Sequence, residues 1–451
     1  MTSPQWKIAV VGAGPAGMFM ADSLTKRSDV RVDLIEKLFA PDGLLRFGVA
    51  PDHPHMKRLG VAFNKTRTRE NLRLLGGVEF GKDVDLSELH NHYHHVVFAH
   101  GAISDRRLGI PGEERDRVLS AREFVEWYNG HPEAVDHPIS LAMEEVVVVG
   151  AGNVALDVAR VLIRPTEDLA TTDIATHALD ALRTSSVRKV HMLIRRGPAG
   201  VSFTLPEIKE LSEMDGVRLV IAPEDFRITE EERERIAADR NLSRIIDVLE
   251  GCVGPVDVPG DDRRVLQLHF FTSPIEILGE EGMEGLRCVR NQMVAAKDGG
   301  RARCVPIEDS EFTIPAGMLL RSIGYRVEPL PGLPYDEQKN VIRNDGGYVL
   351  GDDGNPLGRV WVTGWARRGP SGVLGTNKAD ANEVATTLLS LCPEGEASAL
   401  EDWECKVARR IDLDTWLKID TEEQRRGEAQ GRPREKFVRI TEVHEFLDST
   451  D

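Results

Sequence analysis

The chain has 451 residues, more than one typical core holds, and its length suggests two domains. Hydrophobic residues at 41% and charged residues at 29% describe packed globular material, and no apolar run approaches the ~18 residues of a membrane helix, so disordered and membrane-spanning classes are excluded. Lys and Arg number 57 against 74 Asp and Glu, a net charge of -17, which argues against nucleic-acid binding and obliges any acidic partner to dock on a local basic face.

The first apolar strand, Lys7 to Val11, begins within a few residues of Met1 with no secretory or transit segment before it, so a cytoplasmic protein is expected. This strand runs into Gly12-Ala13-Gly14-Pro15-Ala16-Gly17, and helical spacing follows through Met18, Met20, Ala21 and Leu24. In a strand-turn-helix unit the first glycine allows the tight turn, the second lets backbone approach a pyrophosphate, and the third lets helix pack on strand. The helix amino terminus supplies the anion site. A second strand, Val30 to Ile35, ends at Glu36, 19 positions after Gly17, where a carboxylate accepts hydrogen bonds from an adenosine ribose and repels a 2′-phosphate. Gly12, Gly14, Ala16, Gly17 and Glu36 therefore read as an FAD site.

A second fingerprint begins 138 residues after the first, where Val146 to Val149 leads into Gly150-Ala151-Gly152-Asn153-Val154-Ala155. Ala155 is small enough for the close helix-strand contact, and Leu156, Val158, Ala159, Val161 and Leu162 continue an amphipathic helix. The next strand, Val190 to Ile194, ends in Arg195-Arg196-Gly197 instead of an acid. Guanidinium groups suit a phosphate monoester, so this unit reads as an NADP site. The pair lies further from the glycines than the usual ~20 residues because Pro165 to Ser186 is inserted. Two solvated arginines at a strand end are the structural alternative.

Cys252, Cys288, Cys304, Cys392 and Cys405 form no CxxC or CxxxxC pair, so neither an iron-sulfur cluster nor a redox disulfide is indicated, and no metal is expected. Residues 94 to 99 read as a strand, and Asp105 to Gly112 as a crossover into the second unit. Alternating segments between Val265 and Tyr325 complete that unit, Val327 to Pro334 reads as the return linker, and an alanine-rich helix is expected from Lys378 to Leu391. The expected architecture is α/β, with two Rossmann-like dinucleotide-binding domains and the NADP domain inserted into a discontinuous FAD domain. Its bounds are 1–104 for the first FAD part, 105–329 for the NADP domain and 330–451 for the second FAD part with a C-terminal helical extension.

Four segments give the chain a family likeness: the first fingerprint with Glu36; Gly43-Leu44-Leu45-Arg46-Phe47-Gly48-Val49-Ala50-Pro51-Asp52-His53-Pro54; Gly150 to Arg160 with Arg195 to Pro198; and Gly364-Trp365 through Asn377-Lys378. The chain resembles the ferredoxin-NADP reductases of the adrenodoxin reductase type, including bacterial members, from Ile8 to the Gly431-Arg432-Pro433-Arg434 stretch. That resemblance implies a monomer in which Leu44, Val84, Trp365 and Gly372, Val373 and Leu374 join the first fingerprint in holding FAD. It also implies that Arg106, Asn153, Val154, Ala155, Leu156, Arg195, Arg196, Glu207 and Gly372 hold NADP. Hydride would pass from NADPH to the flavin, which adapts two-electron to single-electron chemistry and reduces a ferredoxin-type iron-sulfur protein. His53 and Asp157 correspond to residues that aid proton movement in the family; their bland alternatives are a loop hydrogen bond before Pro54 and a structural acid near a helix start.

Phe47 and His100 depart from the family pattern, and His100 is a position where a charge would lie near the flavin. Arg233, Arg235, Arg240 and Arg244 are candidates for a local basic docking face, interleaved with Glu231, Glu232 and Glu234 as a solvated helix would be. Two other functions share the two-nucleotide pattern: an NADPH diaphorase or quinone reductase, and an FAD electron-input subunit of a larger complex. The second calls for amino-terminal cysteine clusters, which the chain lacks.

Overall fold

Strand β1, Trp6–Val11, is apolar on both faces because both are covered: Ile8 and Val10 enter one core, Ala9 and Val11 another. It pairs in parallel with β2, Val30–Glu36, and with β4, His95–Phe98, while β3, Leu72–Gly76, pairs with the far side of β2. The strand Pro356–Val362 extends this parallel sheet beside β4, and Tyr348–Leu350 and Asn344–Asp345 add an antiparallel edge, giving seven strands. Helix α1, Pro15–Leu24, follows β1; the short helices α2, Leu44–Phe47, and α3, Pro54–Lys57, and then α4, Leu59–Arg67, lie between β2 and β3. The computed structural model describes residues 5–294, 303–372 and 374–450.

The chain divides into two units, Met1–Arg106 with Gly324–Asp451, and Arg107–Ile323. In the second unit, β5, Glu145–Val149, leads into α5, Asn153–Ile163, and β6, Lys189–Ile194, pairs in parallel with β5. The six-stranded parallel sheet runs Val118–Ser120, Met318–Arg321, β5, β6, Arg264–Phe270, Val217–Ile221, and a separate antiparallel sheet joins Thr272–Leu278, Gly285–Val294 and Arg303–Pro315. The insertion between α5 and β6 holds two short helices, Thr166–Leu169 and Thr176–Arg183. Both units are thus Rossmann-like, and one is assembled from the two ends of the chain.

One helix differs from expectation. The helix expected from Lys378 begins at Leu374 and ends at Ser390, so Gly375, Thr376 and Asn377 are helical rather than part of the preceding glycine-rich loop. The reason is packing: Leu374 packs against the first unit's core, so the helix starts about one turn earlier than local glycine preference suggests. The C-terminal stretch forms Leu413–Glu428 and Ile440–Thr450, whose Trp416, Ile419 and Val443 enter the same core.

Candidate nucleotide-binding sites

The first glycine turn is built by exclusion of side chains. Gly12 has φ +105, and its N–H donates to the Ile35 carbonyl at 2.8 Å, tying the turn to β2. A Cβ on Gly17 would lie 1.8 Å from the Gly12 carbonyl oxygen, so only glycine lets α1 approach β1 here. Around Gly14 the nearest atom to such a Cβ is the Gly43 Cα at 3.9 Å. Helix α1 has neither a capping side chain nor an acid in its first turn, whereas the helices beginning after Ser120, Thr229 and Asp412 are all side-chain capped. Its first N–H groups are left for an anion.

Glu36 closes this turn. Its Oε2 accepts the Ala13 N–H at 2.8 Å and its Oε1 the Leu38 N–H at 2.9 Å, while burial pushes its pKa up. Each oxygen keeps a lone pair for a sugar hydroxyl, and the residues present therefore fit a dinucleotide. Asp42, which the sequence did not single out, completes the cradle with Gly43: Asp42, with φ 82, donates its N–H to the Ala13 carbonyl at 2.9 Å, and a Cβ on Gly43 would lie 2.9 Å from the Gly14 Cα. The Asp42 carboxylate pairs at 2.6 Å with Arg67, which is 1% exposed. The signal was the Asp-Gly dipeptide, a turn former.

Other expected residues of this unit scatter in burial. Val84 is a core residue and Leu44 is half-buried at the start of α2. His53 is half-buried at the start of α3 and donates its N–H to the Ala50 carbonyl. Trp365 stacks on Tyr325 with ring centroids 5.7 Å apart, and its Nε1 is buried without a hydrogen-bond partner, an orphaned donor that a polar ligand atom would satisfy. Gly364 comes so close to Ala16 that a Cβ on it would lie 2.5 Å from the Ala16 Cβ. Asp380 fixes that approach by accepting the Gly364 N–H at 2.5 Å and the Thr363 hydroxyl at 2.8 Å. Gly372 is exposed with φ +83, Leu374 opens the following helix, and Val373 lies outside the described residues. Arg106 is exposed, its N–H bonded to the Gly324 carbonyl.

His100 does not carry the charge the sequence suggested. Burial pushes its pKa down to about 4, so the ring is neutral near pH 7. Phe47 is 2% exposed, with the Arg46 guanidinium 5.2 Å from its ring centroid.

In the second unit the same logic recurs with different margins. A Cβ on Gly150 would lie 2.4 Å from the Ser322 carbonyl oxygen, whereas one on Gly152 would meet nothing within 4 Å. Gly152 thus borders open space at the uncapped start of α5, which has no acid in its first turn. Ala155 and Leu156 are fully buried, Val154 packs against the core, and the Asn153 Oδ1 accepts the Thr204 N–H at 2.8 Å.

Arg195 is exposed and Arg196 half-buried; among the described residues neither forms an ion pair, and the Arg196 Nε is buried without a partner. Their backbone is anchored instead. The Arg196 carbonyl accepts the Phe271 N–H at 3.1 Å, and the Arg195 carbonyl accepts the Asn291 Nδ2 at 3.1 Å and the Cys304 thiol at 2.9 Å. Two positioned, unpaired guanidiniums fit a phosphate monoester.

Asp157 and Glu207 are brought together by a residue not foreseen. Arg160, fully buried, bonds Asp157 at 2.7 Å and Glu207 at 3.1 Å. Its only sequence signal was the three-residue spacing from Asp157. Of the four arginines considered for docking, Arg233 pairs with Glu230 at 3.5 Å and Arg235 bonds the Ala199 carbonyl at 3.2 Å. Arg240 and Arg244 are exposed and in no ion pair among the described residues.

A family model described as pyridine nucleotide-disulphide oxidoreductase matches residues 6–240, just over half of the chain. The NADPH-ferredoxin reductase FprA of Mycobacterium tuberculosis is 41% identical over 458 residues, covering 97% of this chain and 98% of that protein. The mitochondrial NADPH:adrenodoxin oxidoreductase of Arabidopsis thaliana is 37% identical, covering 96% and 93%. The chain belongs to the adrenodoxin reductase family. The solved structure of Mycobacterium tuberculosis FprA in complex with NADPH matches this member with a TM-score of 0.89 at 38% identity, over 98% of this chain and 99% of that one.

Although the broader family name refers to a disulphide, all five cysteines of this adrenodoxin reductase family member are free. Burial pushes the Cys288 thiol up to about 12 and the Cys392 thiol up to about 11, the reverse of a reactive thiolate. Among the described residues, no helix is long and apolar enough to cross a membrane.

Proposed function

We infer that this protein is an FAD-dependent ferredoxin-NADP reductase, taking electrons from NADPH and delivering them singly to a ferredoxin-type iron-sulfur protein. The observation that carries this reading is the contrast between the two strand ends: a carboxylate bonded into the first glycine turn, and two unpaired arginines beside the second. An acid suits a ribose diol, and a free guanidinium pair suits a 2′-phosphate. The unit made of Met1–Arg106 and Gly324–Asp451 is assigned to FAD and Arg107–Ile323 to NADPH.

Bound FAD supplies the exchange between hydride and single-electron chemistry. The chain's residues position and enclose. Gly12, Gly14, Ala16 and Gly17 would present backbone to the pyrophosphate, Glu36 would orient the ribose, and Leu44, Val84, Trp365, Gly372 and Leu374 would hold the flavin. Gly150, Gly152 and the start of α5 through Leu156 would take the NADPH pyrophosphate, and Arg195 and Arg196 its 2′-phosphate. Arg160 holds Asp157 and Glu207 in fixed orientation. His53 and Asp157 are assigned to proton movement. A cytoplasmic location is proposed with this function, because five free thiols suit a reducing compartment.

The test is anaerobic mixing of the yellow holoprotein with NADPH or NADH, followed by addition of a ferredoxin. Rapid bleaching by NADPH in preference to NADH, and then iron-sulfur reduction, is expected. Bleaching without transfer to any iron-sulfur protein would replace this function with a diaphorase activity.

A further inference from the structure

The surface around α4 departs from the rest of the molecule in charge. From His53 to Arg69 the chain carries Lys57, Arg58, Lys65, Arg67 and Arg69 and no Asp or Glu, although acids outnumber bases 74 to 57 overall. The inner face of α4 is committed to the fold. Phe63 is 2% exposed and packs edge-on against Phe19, Arg67 is bonded to Asp42, and a Cβ on Gly60 would lie 3.5 Å from the Asp42 Oδ2. Just outside the helix, Arg69 pairs with Asp22 at 2.7 Å.

The outer face is uncommitted. Arg58, Val61, Ala62 and Lys65 follow a helical i, i+3, i+4, i+7 spacing and all four are exposed. Val61, at 64%, is the most exposed large hydrophobic side chain among the described residues, and Met56 nearby is 41% exposed. Arg58 and Lys65 form no ion pair among the described residues, so their charges bracket an apolar centre uncompensated on a body of net charge -17. Large apolar side chains left in water beside unpaired cations are the arrangement of a small, charge-steered encounter surface. The same helix, through Asp42, braces the turn assigned to the flavin dinucleotide, so a partner seated here docks on the element that supports the electron source.

We propose that the Arg58–Val61–Lys65 face is the docking surface for an acidic iron-sulfur protein; the proposal rests on the reductase reading above. Charge selects the occupant: in a two-fold dimer this cationic patch would face its own copy and like charges would repel, whereas an acidic electron carrier satisfies it.

The test uses the FAD-loaded protein, NADPH and a [2Fe–2S] ferredoxin of net negative charge, with ferricyanide as the partner-independent acceptor. In R58E/K65E the KM for ferredoxin is expected to rise about tenfold or more at low ionic strength, and the steep fall of the wild-type rate with salt should flatten. V61E should weaken ferredoxin binding several-fold by calorimetry, R58K/K65R should behave as wild type, and ferricyanide turnover should be unchanged in all. Unaltered ferredoxin KM and salt dependence in R58E/K65E, or a loss confined to R240E/R244E, overturns the surface and leaves the reductase reading standing. A wild-type dimer that V61E dissociates also overturns it, by assigning the face to a second copy. A wild type that reduces ferricyanide but no iron-sulfur protein overturns the reductase reading itself.

Discussion

Gly17 yields its side-chain volume to Gly12: the Gly12 carbonyl oxygen sits 1.8 Å from where a Cβ of residue 17 would be. Gly152, at the second turn, has open space where its own Cβ would stand. The two glycines therefore fail differently. Gly17→Ala should push α1 off β1, cost roughly 3 kcal/mol or more, and yield protein that loses its flavin on purification, seen as a lowered Tm and a low flavin-to-protein absorbance ratio. Gly152→Ala should keep wild-type Tm and FAD content and raise the KM for NADPH about tenfold, because its methyl group projects where the pyrophosphate approaches. Equal Tm losses in the two variants would count against this distinction.

Arg195 and Arg196 should govern the choice between NADPH and NADH. Removing either guanidinium deletes charge-assisted hydrogen bonds to a 2′-phosphate that NADH lacks. R195A and R196A should each lower kcat/KM for NADPH by about 10- to 100-fold, roughly 1.4 to 2.7 kcal/mol, with that for NADH changed little. Steady-state ferricyanide reduction with both nucleotides decides it; equal losses with both would remove the assignment.

Arg46 and Glu423 form a buried pair with contacts of 2.9 and 2.5 Å, their side chains 6% and 0% exposed. Glu423 also accepts the Phe437 N–H at 2.9 Å. Glu423→Ala strands a buried guanidinium, and urea unfolding should show a loss of about 3 to 5 kcal/mol. A cost below about 1 kcal/mol would mean that water reaches Arg46 readily.

Acid should destabilise the first unit through His95. Burial, then the nearby Arg359 and His94, push its pKa down to about 4, and its Nδ1 accepts the buried Trp361 Nε1–H at 3.1 Å, which requires a bare nitrogen. The native ring resists a proton that the unfolded ring binds near pH 6.5, so stability is full above that pH and falls as pH drops from about 6.5 toward 4. The His95 share of the loss between pH 7 and pH 5 is about 2 kcal/mol. Denaturant titrations at both pH values should show His95→Asn, whose amide oxygen can take the same hydrogen bond, with a smaller drop than wild type.

The parts of this protein set by local sequence were legible without the fold. Val10-Val11 entering Gly12 and Val148-Val149 entering Gly150 reveal both glycine turns, and Glu36 and Arg195-Arg196 end the strands that follow, because strand, turn and helix start are short-range matters of φ, volume and apolar run. The nesting of one Rossmann-like unit within another followed from the order of those segments. Tertiary structure alone decided which groups meet. Arg46 and Glu423 stand 377 residues apart in the chain, Asp42 and Arg67 25 apart, and Trp361 reaches His95 across 266. It also set the protonation of His100, because a pKa answers to the atoms packed around a ring, and the start of the helix at Leu374, because packing of Leu374 on the core outweighs the local preference of glycine. Residue types and spacing carry conformational preference, whereas burial and long-range pairing exist only once the chain has closed on itself.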